Sequence, residues 1–214
     1  MRKTNYAKLT GGLIAAWFAF SLTASALHLF NTDPSRPPLA LLLSVLVPLT
    51  AFFTWYGSSK PFREFVHSLN PRTVTLIHSW RVVGYTFLVL YTYHILPGIF
   101  ALPAGWGDIA IGATAPFVAF KLANPNHRTS FIVWQLLGMT DLVLAISLGA
   151  LSRFIVTESA SAISTAPMSV LPLSLIPTFG VPLLLILHII SIAQARRWPA
   201  QSAGREERVA SFAR

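Results

Sequence analysis

The sequence predicts an all-α fold, a polytopic membrane bundle of six transmembrane helices with both termini cytoplasmic. Three observations predict it. Apolar residues make up 54% of the 214 positions and charged residues only 11%, where a soluble domain carries about 25% charged. Apolar stretches approaching the ~20 residues needed to cross a bilayer recur along the chain. Lys and Arg gather in alternate connecting segments, the charge asymmetry of a multi-pass protein. Residues 1–195 read as one transmembrane domain and 196–214 as a basic cytoplasmic tail.

The first span, about 9–30, carries no formal charge. Its basic start (Arg2, Lys3, Lys8) and the Ala24-Ser25-Ala26 pattern also suit a cleaved signal peptide. The apolar run continues through Leu27–Phe30, past that cleavage site, which favours a retained helix. The second span, about 38–55, follows the turn-rich segment 31–37 and contains Pro48. The third, about 74–95, holds His78, Arg81 and His94. The fourth, about 107–120, is short and interrupted by Gly112 and Pro116. The fifth, about 131–151, contains Asp141, and the sixth, about 170–193, has Pro172, Pro177 and Pro182 in its first half. Each proline frees a backbone carbonyl that a neighbour or water must satisfy.

Orientation follows from the basic residues. The N-terminus, the 57–73 and 121–130 loops and the tail hold three, three, two and five Lys or Arg; the intervening loops hold only Arg36 and Arg153. The formal charge of +9 is thereby read as a topological address, suited to anionic lipid headgroups rather than to nucleic acid. Trp55 and Trp80 are placed near the inner boundary and Trp106 near the outer. The partner predicted is the lipid bilayer, and a homodimer is compatible with the size. The chain has no cysteine, which removes disulfides and thiolate chemistry.

Ionisable groups inside a bilayer are costly and mark candidate sites. By depth along their spans, Arg81 and Asp141 differ by about one helical turn, so a buried pair is predicted. His78 and Tyr85 share the face of Arg81 at α-helical spacing, and Trp134 and Gly138 share that of Asp141. This group is either a proton- or anion-handling centre or an ion pair that locks two helices together. A second cluster is expected at the external face, where His28 ends the first span, His94 ends the third and Asp108 opens the fourth. The intervening Leu96–Trp106 segment is rich in Pro and Gly and is expected as an interfacial or re-entrant element. On this reading Trp106, Asp108, His94 and His28 line an outward pocket, Gly105 and Gly107 let backbone approach a ligand, and Asp108 also suits a helix cap. Asp108 and Asp141 are then too far apart in depth to act together.

Two depth-matched histidine pairs, His28 with His94 and His78 with His188, invite comparison with haem ligation. A helix serving two stacked haems needs ligands on one face about 14 residues apart. His78 and His94 are 16 apart, about 160° out of phase. No haem is predicted, and a single haem through one pair stays open. No metal site, zinc-protease motif, serine-hydrolase elbow, P-loop or paired-acid motif is present, and no catalytic residue is assigned.

The strings LPGIFALPAGWGDIAIGATAP and LLGMTDLVLAISLG resemble blocks in a group of uncharacterised bacterial integral membrane proteins. The resemblance covers about a third to a half of the chain, and its LPAGWGD string is the specific part. It implies a multi-pass protein of a bacterial cytoplasmic (inner) membrane and carries no activity. The residues themselves point first to small-solute or proton-linked transport through an intramembrane polar site. The alternative is a membrane redox or biosynthetic enzyme, or an accessory subunit, holding haem, quinone or lipid between helices.

Overall fold

The computed structural model describes residues 3–31, 38–156 and 163–199, and among them the fold is all-α. Helices α1 (Lys3–Ala26), α2 (Leu39–Ser58) and α3 (Lys60–Ser68) come first. Next are α4 (Pro71–Ile77), a 3-10 segment (His78–Gly84) and α5 (Tyr85–Thr92), which join end to end as one rod. Helix α6 (Gly98–Phe117) runs into a π-turn at Val118–Leu122; α7 (Arg128–Val156) follows. A second π-turn (Ile176–Gly180) leads into α8 (Val181–Ala195). The expected tail falls mostly outside the described residues, as do most of the loop at 31–37 and residues 157–162 of the loop at 152–169.

Among the described residues, five helical stretches are long and apolar enough to cross a membrane: Asn5–Ala26, Leu39–Ser58, Pro71–Thr92, Pro125–Ser152 and Ile176–Ala195. The chain is a multi-pass membrane protein by this composition. Helix α6 falls outside that group because Pro103, Trp106 and Asp108 dilute its apolar content, although its 20 residues rise about 30 Å.

The expected re-entrant loop at 96–106 is instead the first half of α6. Pro97 is extended and sits at the N-cap, where its missing N–H costs nothing. Gly98, Gly105 and Gly112 recur every seven residues and lie against Tyr91, Leu88 and Val82 of the preceding rod. Residue numbers rise on one helix as they fall on the other, so α6 packs antiparallel along the whole rod. Small residues at such contacts let membrane helices approach closely; Gly112 is a packing position rather than an interruption. Because α6 begins at Gly98, Trp106 lies near its middle and faces outward at 63% exposure. Trp80, likewise mid-rod, is 73% exposed; neither marks a helix boundary.

The last span is also reshaped. Residues 170–174 form a bend and turns rather than the regular helix expected there, and the long helical stretch runs from Ile176. Pro182 cannot donate to the Thr178 carbonyl one turn back. That carbonyl accepts from Trp17 Nε1 at 3.2 Å and Ser21 Oγ at 3.3 Å, which docks α1 on the π-turn.

The basic end of the bundle is closed by aromatic packing. Phe62 of α3 stacks on Trp55 with centroids 3.9 Å apart, and Tyr6 of α1 stacks on Phe65. Gln194 of α8 donates to the Val66 and Leu69 carbonyls at the end of α3, satisfying groups that a helix terminus leaves free.

Candidate functional site

The site is organised by the 3-10 segment. Its period of three residues per turn aligns His78, Arg81 and Gly84, and all three are buried. Tyr85, expected on this face from α-helical spacing, is 56% exposed: the tighter winding turns it away and puts Gly84 in its place. Gly84 in turn leaves room for Asp108, since a Cβ there would collide with that carboxylate. Gly107 makes the same allowance for Asp141, and Gly138 for His188.

Arg81 stands at the centre with its side chain 1% exposed. Its Nε donates to Asp108 Oδ1 at 2.6 Å, and its Nη2 donates to Asp141 Oδ2. Nε and Nη2 share one edge of the guanidinium, so the two carboxylates sit side by side. Each is 16% exposed and leaves its other oxygen without a hydrogen bond among the described residues. Both acids contribute to one charged centre, which corrects the expectation that depth separates them. Asp108 also lies well inside α6 rather than at its start, which removes the capping role.

The third guanidinium nitrogen, Nη1, donates to the Gly138 carbonyl at 3.2 Å and faces His188 Nε2 at 3.4 Å. Arg has no acceptor, so Nε2 must accept and Nδ1 must carry the ring proton. Nδ1 then donates to Gln135 Oε1. That orients the amide so that Gln135 Nε2 donates to Thr75 Oγ1 at 3.5 Å, and Thr75 donates to the Pro71 carbonyl at 2.8 Å. Every group from Arg81 to Pro71 thus has one consistent role, and the chain of bonds runs to the start of α4.

His78 is fully buried and stacks on His188 with ring centroids 3.8 Å apart; Trp134 closes the stack edge-on to His78 at 5.9 Å. Trp134 donates to Thr114 Oγ1 at 3.0 Å. Neither ring nitrogen of His78 has a hydrogen-bond partner among the described residues. Stacked rings cannot point their nitrogens at opposite faces of one iron, so the His78–His188 pair does not fit haem ligation.

The structure therefore joins Arg81, Asp141, His78, Trp134 and Asp108. It does not bring Trp106, His94 or His28 to them. His28 and His94 are exposed helix caps with φ of 57° and 55°. Each ends its helix in a Schellman motif: Leu29 N–H reaches the Ala24 carbonyl and His28 N–H that of Ser25, while Ile95 and His94 reach Leu90 and Tyr91. They are placed by backbone geometry, and no hydrogen bond or ring contact joins them among the described residues. Gln135, Thr75 and Thr114 were missed, and His188 was singled out only as a haem candidate. Gln135 is a long polar side chain within an apolar span, which is the signal that identifies it.

A cavity of about 90 Å³ opens beside this centre, lined by residues that include Val45, Phe87, Phe100, Leu142 and Asp108. A family profile described as "Domain of unknown function (DUF8737)" matches residues 37–196, which contain every member of the Arg81 centre. No curated protein and no solved structure matches the chain. The match spans about three quarters of the sequence, and the chain belongs to the DUF8737 family.

Proposed function

We propose that this protein carries out proton-linked movement of a small solute across the membrane, with Arg81, Asp108 and Asp141 as the proton-exchanging centre. The observation that carries the reading is the placement of two carboxylates on one edge of a single guanidinium. With both acids ionised and the histidines neutral, the centre holds one uncompensated negative charge. A net charge at membrane depth is costly, and one bound proton or monovalent cation neutralises it. Two further features support exchange. Asp108 borders a cavity, and Arg81 leads in the other direction through His188, Gln135 and Thr75.

We place α6 as a sixth span because it runs antiparallel along the full Pro71–Thr92 rod. Both termini and the basic 57–73 and 121–130 loops then fall on the cytoplasmic side, in keeping with a bacterial cytoplasmic membrane. The test uses proteoliposomes loaded with a pH-sensitive dye. An imposed proton gradient should collapse faster with the wild-type protein than with Asp108→Asn or Asp141→Asn. Infrared difference spectra should show a carboxyl band that titrates and that the substitutions remove. Equal collapse with all three proteins and no titrating carboxyl band overturns the reading.

A further inference from the structure

We infer that the cavity beside Asp108 is a binding site for a short apolar ammonium ion. Leu41 and Val45 of α2, Phe87 of α5, Phe100 of α6 and Leu142 of α7 supply apolar wall, and Asp108 is the ionisable residue among the described lining. The lining hydroxyl of Thr165 is already committed to the Gly149 carbonyl at 2.7 Å. Asp108 is tied to Arg81 through Oδ1 alone. Its other oxygen remains available as an acceptor, so the cavity combines an apolar body with one anionic end.

Charge selects the ligand class. One guanidinium faces two carboxylates, so an anion would add to an excess already present, whereas a monocation completes neutrality. A neutral alcohol could accept the same geometry but would leave the excess charge in place. Size limits the apolar part. A cavity of about 90 Å³ is smaller than the ~150 Å³ cavity that takes benzene, which suits an ammonium ion of one or two carbons. The inference rests on the proposed proton-exchanging centre in one respect: the carboxylate that holds the ammonium ion is also one that takes the proton, so the two compete.

The experiment is calorimetric titration of ethylammonium into the full chain in nanodiscs of neutral lipid, with ethanol as the uncharged control. Saturable binding of one ethylammonium per chain is expected, weakening by up to about tenfold per pH unit on acidification under direct proton competition. Asp108→Asn should weaken it at least tenfold. Ala145→Leu, which fills the cavity without touching the Arg81 contacts, should also weaken it and guards against misfolding of the Asp108 variant. Absence of saturable binding, equal binding of ethanol, or undiminished binding by both variants overturns the inference. A titrating carboxyl band without amine binding would leave the proton-exchange reading standing and remove this one. Amine binding that ignores pH would keep the site and remove the competition with protons.

Discussion

Gly107 of α6 faces the Asp141 carboxylate of α7 so closely that a Cβ on Gly107 would fall on Oδ1. The absence of a side chain at one position is what allows a charged side chain at the other to reach Arg81. Gly107→Ala is expected to destabilise the protein by about 1–3 kcal/mol, the usual cost of overpacking. In an Asp141→Ala background the same substitution should cost much less, because its steric partner is gone. Thermal unfolding of the four proteins in detergent checks this; equal costs in both backgrounds would falsify the contact.

The ratio of two acids to one base predicts an asymmetry. Arg81→Gln leaves two buried carboxylates unpaired and is expected to cost about 3–5 kcal/mol, the range for breaking a buried pair. Asp141→Asn leaves Arg81 paired one-to-one with Asp108 and should cost far less. Adding Asp108→Asn and Asp141→Asn to Arg81→Gln should recover most of the loss, since no unpaired charge remains. Chemical denaturation of the series provides the comparison.

The Thr178 carbonyl freed by Pro182 has two donors, Trp17 Nε1 and Ser21 Oγ. Removing one by Trp17→Phe or Ser21→Ala should cost about 1 kcal/mol, because the other still satisfies the carbonyl. Removing both leaves it unpaired and should exceed the sum of the single losses. Pro182→Ala restores an internal donor and should soften the double variant. Limited proteolysis of α1, alongside thermal melting, reads the loosening.

His67, in α3 outside the spanning segments, shares a hydrogen bond with the Tyr56 hydroxyl at 2.8 Å. Burial, and then Arg197 and Arg63, hold its imidazole below the usual pKa of 6.5. The unfolded chain therefore binds this proton more readily than the folded one. The fold loses stability as pH falls below about 6.5 and stops losing it once His67 also charges in the folded state. His67→Phe should flatten that part of the pH dependence between pH 7 and 5, measured by melting temperature. An unchanged slope would rule out His67 as its source.

How much was legible depended on the kind of information each feature carries. The membrane class, the long spans and the pairing of Arg81 with Asp141 could be read because apolar length and depth are local quantities. The winding of the third span could not. Its seven-residue 3-10 segment replaces a period of 3.6 with one of three and exchanges Tyr85 for Gly84 on the buried face. The helix expected at 107–120, which runs over Gly98–Phe117, was misplaced for a related reason. A stretch with Pro97, Gly98, Pro103, Gly105 and Gly107 has poor intrinsic helix propensity, yet close antiparallel packing on the preceding rod sustains a helix there.

By itself the sequence determined that the chain lives in a membrane, that its basic residues alternate between connecting segments, and that few charges are left inside it. Only the tertiary structure decided which of those charges meet. Starting α6 at Gly98 rather than Gly107 moves Asp108 about 13 Å along the helix axis, from an external rim to the guanidinium of Arg81. Depth in a bilayer is counted from a helix's first residue. Packing against Val82, Leu88 and Tyr91 allows this glycine- and proline-rich segment to remain helical, and no local propensity could supply that contact.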